Sequence, residues 1–414
     1  MPTQYKNEQN KKNKKMSELY KLPAGWEWKK LGEVFDVKDG THDSPKYKEI
    51  GYPLVTSKNL KNNSLDLTSC KFISNDDFIK INQRSKVDKG DLLFAMIGTI
   101  GSPTIVDFEP DFAIKNVALF KPSNTYLIEL LKYWLSSHLT TQKMLEEAKG
   151  ATQKFVGLTY LRNFPAPLPP LAEQKRIVAK LDSLFEKIDK AIELHQQNIT
   201  NANTLMASAL DKTFKKLERE YSFKILDCLS ENIRYGYTDK AKEKGNARFI
   251  RITDINDQGK FKDESVYVDI KNTDLDRYKL LVGDILVARS GATAGKVALF
   301  TLDEFSVFAS YLIRIRLQID KVLPSFIFYF CYSSNYWNQL DQIKIGGAQP
   351  NVNATNLKNI KIPLPPLPIQ QQTVEYLDSI ATKVDKIKQL NEQKLENLKA
   401  LKASILDKAF RGEL

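Results

Sequence analysis

The chain has three cysteines, three histidines, five methionines and four tryptophans among 414 residues. Cys70, Cys228 and Cys331 are far apart and odd in number, which suits a reducing cytoplasm and excludes a disulfide framework. With His42, His138 and His195 as the whole histidine set and no CxxC, a zinc site has no ligand set. No stretch approaches the ~18 uninterrupted apolar residues of a membrane span. The opening "MPTQYKNEQNKKNKKM" is rich in Lys and Asn with no apolar region behind it. It reads as a frayed basic tail rather than a signal peptide, with Met16 as a second candidate start.

Catalytic signatures are equally scarce. GxSxG, HExxH and DEAD-like boxes are missing, and so is the [DNS]-P-P-[FYW] tetrapeptide in which an amino-methyltransferase holds its target base. "RSGATAGKV" (289–297) fails as a phosphate loop, because Ser290 stands at the first glycine of GxxxxGK[ST] and Val297 replaces the magnesium-binding Ser/Thr. Its counterpart "AMIGTIGSP" has no lysine, and "FAMIGTIG" (94–101) has no helix signal after it, so both read as glycine-rich turns. Binding is the default.

What the chain has is basic charge and a repeat. The formal net charge is +12, with a pI near 9.2. Five Lys and one Glu in the first sixteen residues account for +4 of it, so the folded body is moderately basic. That permits a polyanionic partner without requiring one. Sliding the chain on itself by 196 residues aligns Leu161–Phe214 with Leu357–Phe410 without a gap, at 25 identical positions of 54. The shared positions include the runs "PLPPL", Gln174/Gln370 and Leu181-Asp182-Ser183 with Leu377-Asp378-Ser379. Further out, "KGDLLFAMIG" matches "VGDILVARSG", and Gly40 matches Gly236. Two copies thus kept their helices and diversified their globular parts.

The globular parts read as α/β. Strand-like runs fall at 34–38, 52–57, 91–97, 104–106 and 114–121, then at 248–253, 264–268, 284–288, 296–300 and 307–317. Helical stretches at 126–148 and 324–343 precede each proline hinge. Behind the hinges, Val178, Leu181, Phe185, Ile188, Ile192, His195, Ile199, Ala202, Met206 and Ala209 are spaced by threes and fours. Val374, Leu377, Ala381, Val384, Asn391, Leu395, Leu398 and Ile405 continue that register in the second copy. Each seam needs a partner helix, and the nearest is the other copy; ~43 residues make a rod on the order of 65 Å. His195 and Asn391 sit in the seam as register-setting polar residues. An antiparallel pairing would put the two globular regions at opposite ends, related by an approximate two-fold.

The expected fold is therefore α/β (α+β), with two globular domains, two long antiparallel coiled-coil helices and a pseudo-two-fold internal repeat. The boundaries are a tail at 1–19, a first domain at 20–166, a central helix at 167–217, a second domain at 218–362 and a C-terminal helix at 363–414.

This order of parts resembles the specificity (S) subunit of type I restriction–modification systems, over essentially 20–414. The motifs that carry the resemblance are "FPAPLPPLAEQKRIVAKLD", "IKIPLPPLPIQQQTVEYLD", "LPAGWEWKKLGEV", "GDLLFAMIGTIG" and "GDILVARSGATAGK". The second hinge departs slightly, with Pro368-Ile369-Gln370 where the first has Ala172-Glu173-Gln174. The resemblance implies two target recognition domains, each reading one half of a bipartite double-stranded DNA target, with the helices fixing the spacer. It implies docking of two adenine-N6 methyltransferase (M) subunits and of restriction (R) subunits in the cytoplasm. Catalysis and cofactors would belong to those partners, S-adenosylmethionine to M and ATP with magnesium to R, and none to this chain. The competing readings are a self-contained enzyme, which the missing motifs argue against, a coiled-coil adaptor, and a specificity-like subunit of another DNA-modification defence system.

Base-edge contacts need polar and basic side chains on loops that enter a groove. In the first domain these are Lys38, Thr41, His42, Ser44, Lys46, Ser57, Lys58, Asn59, Thr99, Gln153 and Lys154. In the second they are Arg234, Tyr235, Tyr237, Arg251, Thr253, Asp254, Arg289, Ser290, Thr293, Lys296, Gln349 and Asn351. "GATQKF" (150–155) and "GGAQPN" (346–351) hold the same place before each hinge, and a glutamine there can bridge an adenine edge. Gln349→Ala is expected to weaken recognition of one half-site only. Methylation rates on duplexes altered in one half at a time would check this, and equal loss at both halves would defeat the modular reading.

Overall fold

The computed structural model describes residues 20–150, 154–256, 258–343 and 351–414. It divides into two compact units, one running to Leu194 and taking in Lys394–Leu414, the other His195–Gln393. Each unit is therefore closed by the start of one long helix and the end of the other.

In the first unit the middle layer is a four-stranded antiparallel sheet, ordered Val37–Asp39, Val117–Phe120, Leu92–Ala95, Gly101–Ile105. The strand "LLFA" is buried on both faces, which is why it reads as a continuous apolar run rather than an alternating one. Leu92 and Phe94 face the helices, while Leu93 and Ala95 face a second core with Val55, Phe112 and Ile114. Beyond that core lies a three-stranded sheet ordered Lys71–Ile73, Tyr52–Thr56, Ala113–Lys115, with the last pair parallel.

The second unit repeats this plan. Its four-stranded sheet runs Ser230–Tyr235, Leu312–Leu317, Ile285–Ala288, Val297–Leu299, and its three-stranded sheet Tyr267–Val268, Ala247–Ile250, Ser306–Phe308. Again the last pair of the smaller sheet is parallel. Gly40 and Gly236 mark the same crowded crossing in each unit. A Cβ at either would lie 2.2 Å from a carbonyl oxygen, of Ile114 or of Ala309, so only glycine fits.

The proline-rich hinge is more ordered than its composition suggests. Pro165–Leu168 is a strand, antiparallel to Glu27–Lys30, and Lys361–Pro363 pairs likewise with Phe223–Ile225. Each is a two-stranded ribbon. Proline is tolerated because one side of the strand needs no N–H donors. Leu171–Glu220 and Leu367–Arg411 then form the central and C-terminal helices.

A buried glutamine locks each junction. Gln174, with no exposed surface, accepts from the Leu127 N–H (2.8 Å) and donates to the carbonyls of Thr125 (2.8 Å) and Pro169 (2.9 Å). Gln370 makes the same three bonds to Leu323 N–H, Lys321 O and Pro365 O, at 2.9, 3.1 and 2.9 Å. One turn on, Tyr133 donates to Asp182, and Tyr329 to Asp378. Burial first, then the carboxylate, pushes both phenols above their usual range.

The helices meet along the expected seam. In the first unit Ile177, Leu181, Phe185 and Ile188 share a core with Trp134, Leu406, Ala409 and Phe410. In the second, Ala209, Leu210 and Phe214 share one with Val374, Leu377 and Phe326. Within each unit the paired segments run antiparallel: Arg176 reaches Leu414 and Asp189 reaches Lys402, while His195 meets Asn391. All the predicted seam residues are buried or half-buried, whereas Leu194, Leu205, Leu390 and Leu401, off the seam, are exposed.

Replacing Gln174 or Gln370 by Leu leaves one buried N–H and two carbonyls without partners. Each substitution is expected to cost about 2–4 kcal/mol, read as a lower urea midpoint, and the two losses should be similar because the geometries match.

Candidate nucleic-acid interface

The frame brings many of the predicted DNA-facing residues to one corner of each unit. In the first unit three segments converge there. The chain leaving Val37–Asp39 bridges Thr41 to Lys115, and the Asn116 N–H donates to Thr41 O at 3.2 Å. The turn at Ser57–Asn59 is tied in by Ser57 Oγ, which donates to Asn116 O at 3.1 Å. The loop after Leu92–Ala95 joins through the Gly98 N–H to Lys154 O (3.0 Å) and a bridge between Ile97 and Phe155. A cleft of about 540 Å³ opens beside the first and third of these segments, lined by Asp39, His42, Met96, Asn116, Phe155 and Tyr160 among others.

His42 is pinned at its mouth. Its Nε2 lies 2.9 Å from Asp39 Oδ2 and its Nδ1 2.8 Å from Asn116 Oδ1. Asp39 is buried and also pairs with Arg84, so the carboxylate is a fixed anchor rather than a free charge. Lys115 Nζ donates to Ser44 Oγ at 2.5 Å, and Lys154 Nζ to Leu145 O at 3.1 Å. Lys46, Lys58 and Thr99 are exposed. Lys38 lies within its strand and pairs with Asp36 at 3.1 Å.

Asn59 faces inward. It is 3% exposed, and its amide accepts from Thr56 N–H and Oγ1 and donates to Asp66 O and Ser69 Oγ. Asp254 holds the same position in the second unit, 6% exposed, accepting from the backbone and guanidinium of Arg251. Both residues hold a turn and have little left to offer a base. Gln153 and Gln349 lie outside the described residues.

The second unit builds its corner differently on the same backbone. Tyr237 bridges to Ala309 where Thr41 bridges to Lys115, and Ser290 bridges to Asn351 where Ile97 bridges to Phe155. The Arg289 guanidinium sits over the Tyr235 ring, 4.8 Å from its centroid, and Tyr235 Oη accepts from the Ala354 N–H at 2.9 Å. Arg234 and Thr253 are exposed, Thr293 half-buried. Lys296 donates to Ile255 O at 2.9 Å, so the glycine-rich run is a braced turn between strands.

Sequence reasoning passed over Lys115 and Asn116. Asn116 has φ of 53° and splits what reads as one apolar strand at 114–121 into two. The available signal was a lone asparagine, a residue tolerated in the left-handed region, inside an alternating run. Among the described residues, no group of three or more His, Cys, Asp or Glu is placed to hold a metal ion. Nor is any described helix long and apolar enough to cross a membrane.

The family described as "Type I restriction modification DNA specificity domain" matches twice, at residues 23–202 and 225–399. The chain belongs to that family. It is 25% identical over 428 residues to the type I restriction enzyme EcoKI specificity subunit of Escherichia coli K12, covering 95% of this chain and 90% of the relative. It is also 25% identical over 438 residues to the type I restriction enzyme MjaX specificity subunit, a putative assignment, of Methanocaldococcus jannaschii, covering 97% and 96%. A chain solved in work on complex assembly and conformational transition of the type I R-M system matches at TM-score 0.75 and 24% identity, over 95% of this chain and 100% of its own. The HsdS subunit of Thermoanaerobacter tengcongensis matches at 0.54 and 24%, over 95% and 99%. These structures share the fold. The double match falls on the two copies, so the repeat is a repeat of the DNA specificity domain, and the chain is a non-catalytic specificity subunit.

Lys58, exposed and on the turn beside the cleft, suits a phosphate contact. Lys58→Ala should weaken DNA binding about equally across sequences and reduce the slope of log K against log salt by about 1. A fluorescence-anisotropy titration at several salt concentrations would measure it.

Proposed function

We propose that each unit reads one half of a bipartite DNA target, the corner described above supplying the base contacts. Two adenine-N6 methyltransferase subunits would dock on the duplicated helices, and restriction subunits would complete a cytoplasmic complex. One observation carries this reading: the two frames agree hydrogen bond for hydrogen bond at Gln174 and Gln370, while the corners are built from different side chains, His42 between Asp39 and Asn116 in one and Arg289 on Tyr235 in the other. A pair of readers with one chassis and two vocabularies needs that pattern, whereas an adaptor has no use for the divergence. S-adenosylmethionine, ATP and magnesium would be held by those partners, and this chain's residues would bind and orient DNA. On this reading the exposed and half-buried residues of each corner, with Gln153 and Gln349, make the contacts.

The test is a modified-base map of DNA from cells co-expressing this chain with its cognate methyltransferase, against methyltransferase alone. A methylated bipartite motif appearing only with this chain is expected, and none appearing with an active methyltransferase would sink the proposal. In the same assay His42→Ala should relax one half of the motif and leave the other unchanged.

A further inference from the structure

Arg289 differs from the other buried and half-buried arginines among the described residues of its unit in how it is held. Arg248, Arg251 and Arg316 each pair with a carboxylate, and Arg314 is buried on Asn232 Oδ1 and Lys279 O. Arg289 has no ion pair among the described residues, yet its backbone is fixed on both sides. Its N–H donates to Tyr311 O at 2.9 Å and its carbonyl accepts from Val352 N–H at 2.8 Å. Its guanidinium lies on the Tyr235 ring, and that ring is itself anchored through its hydroxyl to Ala354. The Nε is buried without a partner, which leaves the two terminal nitrogens as the donors an outside acceptor could reach. A flat, immobilised fork with no internal acceptor is built to receive one from outside.

The equivalent positions of the first unit carry Met96 and Asp39, which line its cleft and offer an apolar wall and an anchored carboxylate. The fork is thus a feature of one reader alone. A phosphate would not need it, since a flexible lysine serves as a point charge. Two parallel donors in a rigid plane match the O6 and N7 acceptors of guanine in the major groove.

We propose that Arg289 reads a guanine in the half-site served by the second unit, donating to O6 and N7, and that Tyr235 is the residue that positions it. This rests on the reading that each unit recognises half a target. Stacking restricts the guanidinium before DNA arrives, so less freedom is lost on contact.

The experiment uses the complex of this chain with its methyltransferase and duplexes of the mapped motif. 7-Deazaguanine, which lacks the N7 acceptor, replaces each guanine singly. At one guanine the wild-type methylation rate should fall about tenfold, and Arg289→Gln should show no further fall at that position. A wild-type complex indifferent to the replacement at every guanine overturns the proposal, while the bipartite motif would still support half-site reading. Arg289→Lys, which keeps the charge and loses the fork, is the second variant. It should lower discrimination between guanine and adenine at that position by about 10- to 100-fold, and wild-type discrimination in Arg289→Lys would also overturn the assignment. Tyr235→Phe keeps the stack and should keep discrimination, whereas Tyr235→Leu should lose it at the same base pair alone. A loss spread over both half-sites would show Tyr235 to be structural.

Discussion

The side-chain amide buried at the start of each long helix sets the geometry on which the reader depends. A glutamine with no exposed surface must satisfy both its oxygen and its nitrogen within the protein. It does so by gripping the loop ahead of one helical segment (Thr125 and Leu127, or Lys321 and Leu323) and the proline run behind it. The direction in which the helix leaves its globular body is thereby fixed. The prolines stiffen the approach by removing φ freedom, and the ribbon with Glu27–Lys30 or Phe223–Ile225 holds it from the other side. A hinge in composition is a clamp in structure.

On that clamp the two copies diverge in an ordered way. The ion pair of the buried strand-end carboxylate survives with a change of cation, Asp91 with Lys121 in one unit and Asp284 with Arg316 in the other. The sheet interior tolerates more. Leu119, wholly buried, is matched by Arg314, also buried, whose guanidinium donates to the neutral oxygens of Lys279 and Asn232 and lies against the face of Phe308. Desolvation, with repulsion from Arg316 second, lowers its pKa to about 10. A buried cation of this kind gives little net stability. The corner has changed most, from His42 held between Asp39 and Asn116 to Arg289 held on Tyr235.

Much of this was legible in the sequence because the signals are periodic or duplicated. The seam from Val178 to Ala209 follows from threes and fours, and the offset of 196 makes each copy a check on the other. The strands "LLFA" and "ILVA" stand out as short apolar runs. Less legible were features set by tertiary pairing. Nothing local marks Pro165–Leu168 as a strand, since its composition argues the opposite and only its partner supplies the ladder. Asn59 looked like a groove residue because polarity in a loop does not say which way a side chain points; its neighbour Asp66 decides that. The corner itself joins residues as distant as Thr41, Lys115 and Lys154, and no spacing rule connects them.

The polar layer in the helix seam carries the last consequence of duplication. When two copies of one helix pair antiparallel, only one level brings a residue against its own equivalent. Here that level holds His195 and Asn391, whose Nδ1 and Oδ1 lie 2.7 Å apart at a separation of 196 residues in sequence. Asn391 Nδ2 donates to Ile387 O, so its oxygen faces the ring and the imidazole carries its proton on Nδ1. An exact duplicate would have placed two identical side chains there, and two histidines or two asparagines could each settle in either of two equivalent arrangements. The heterotypic pair has one. A seam slipped by a heptad would leave both groups facing apolar neighbours without partners, at a cost that leucine pairs would not impose. Drift between the copies has thus been used to fix the register of the helices that the copies share.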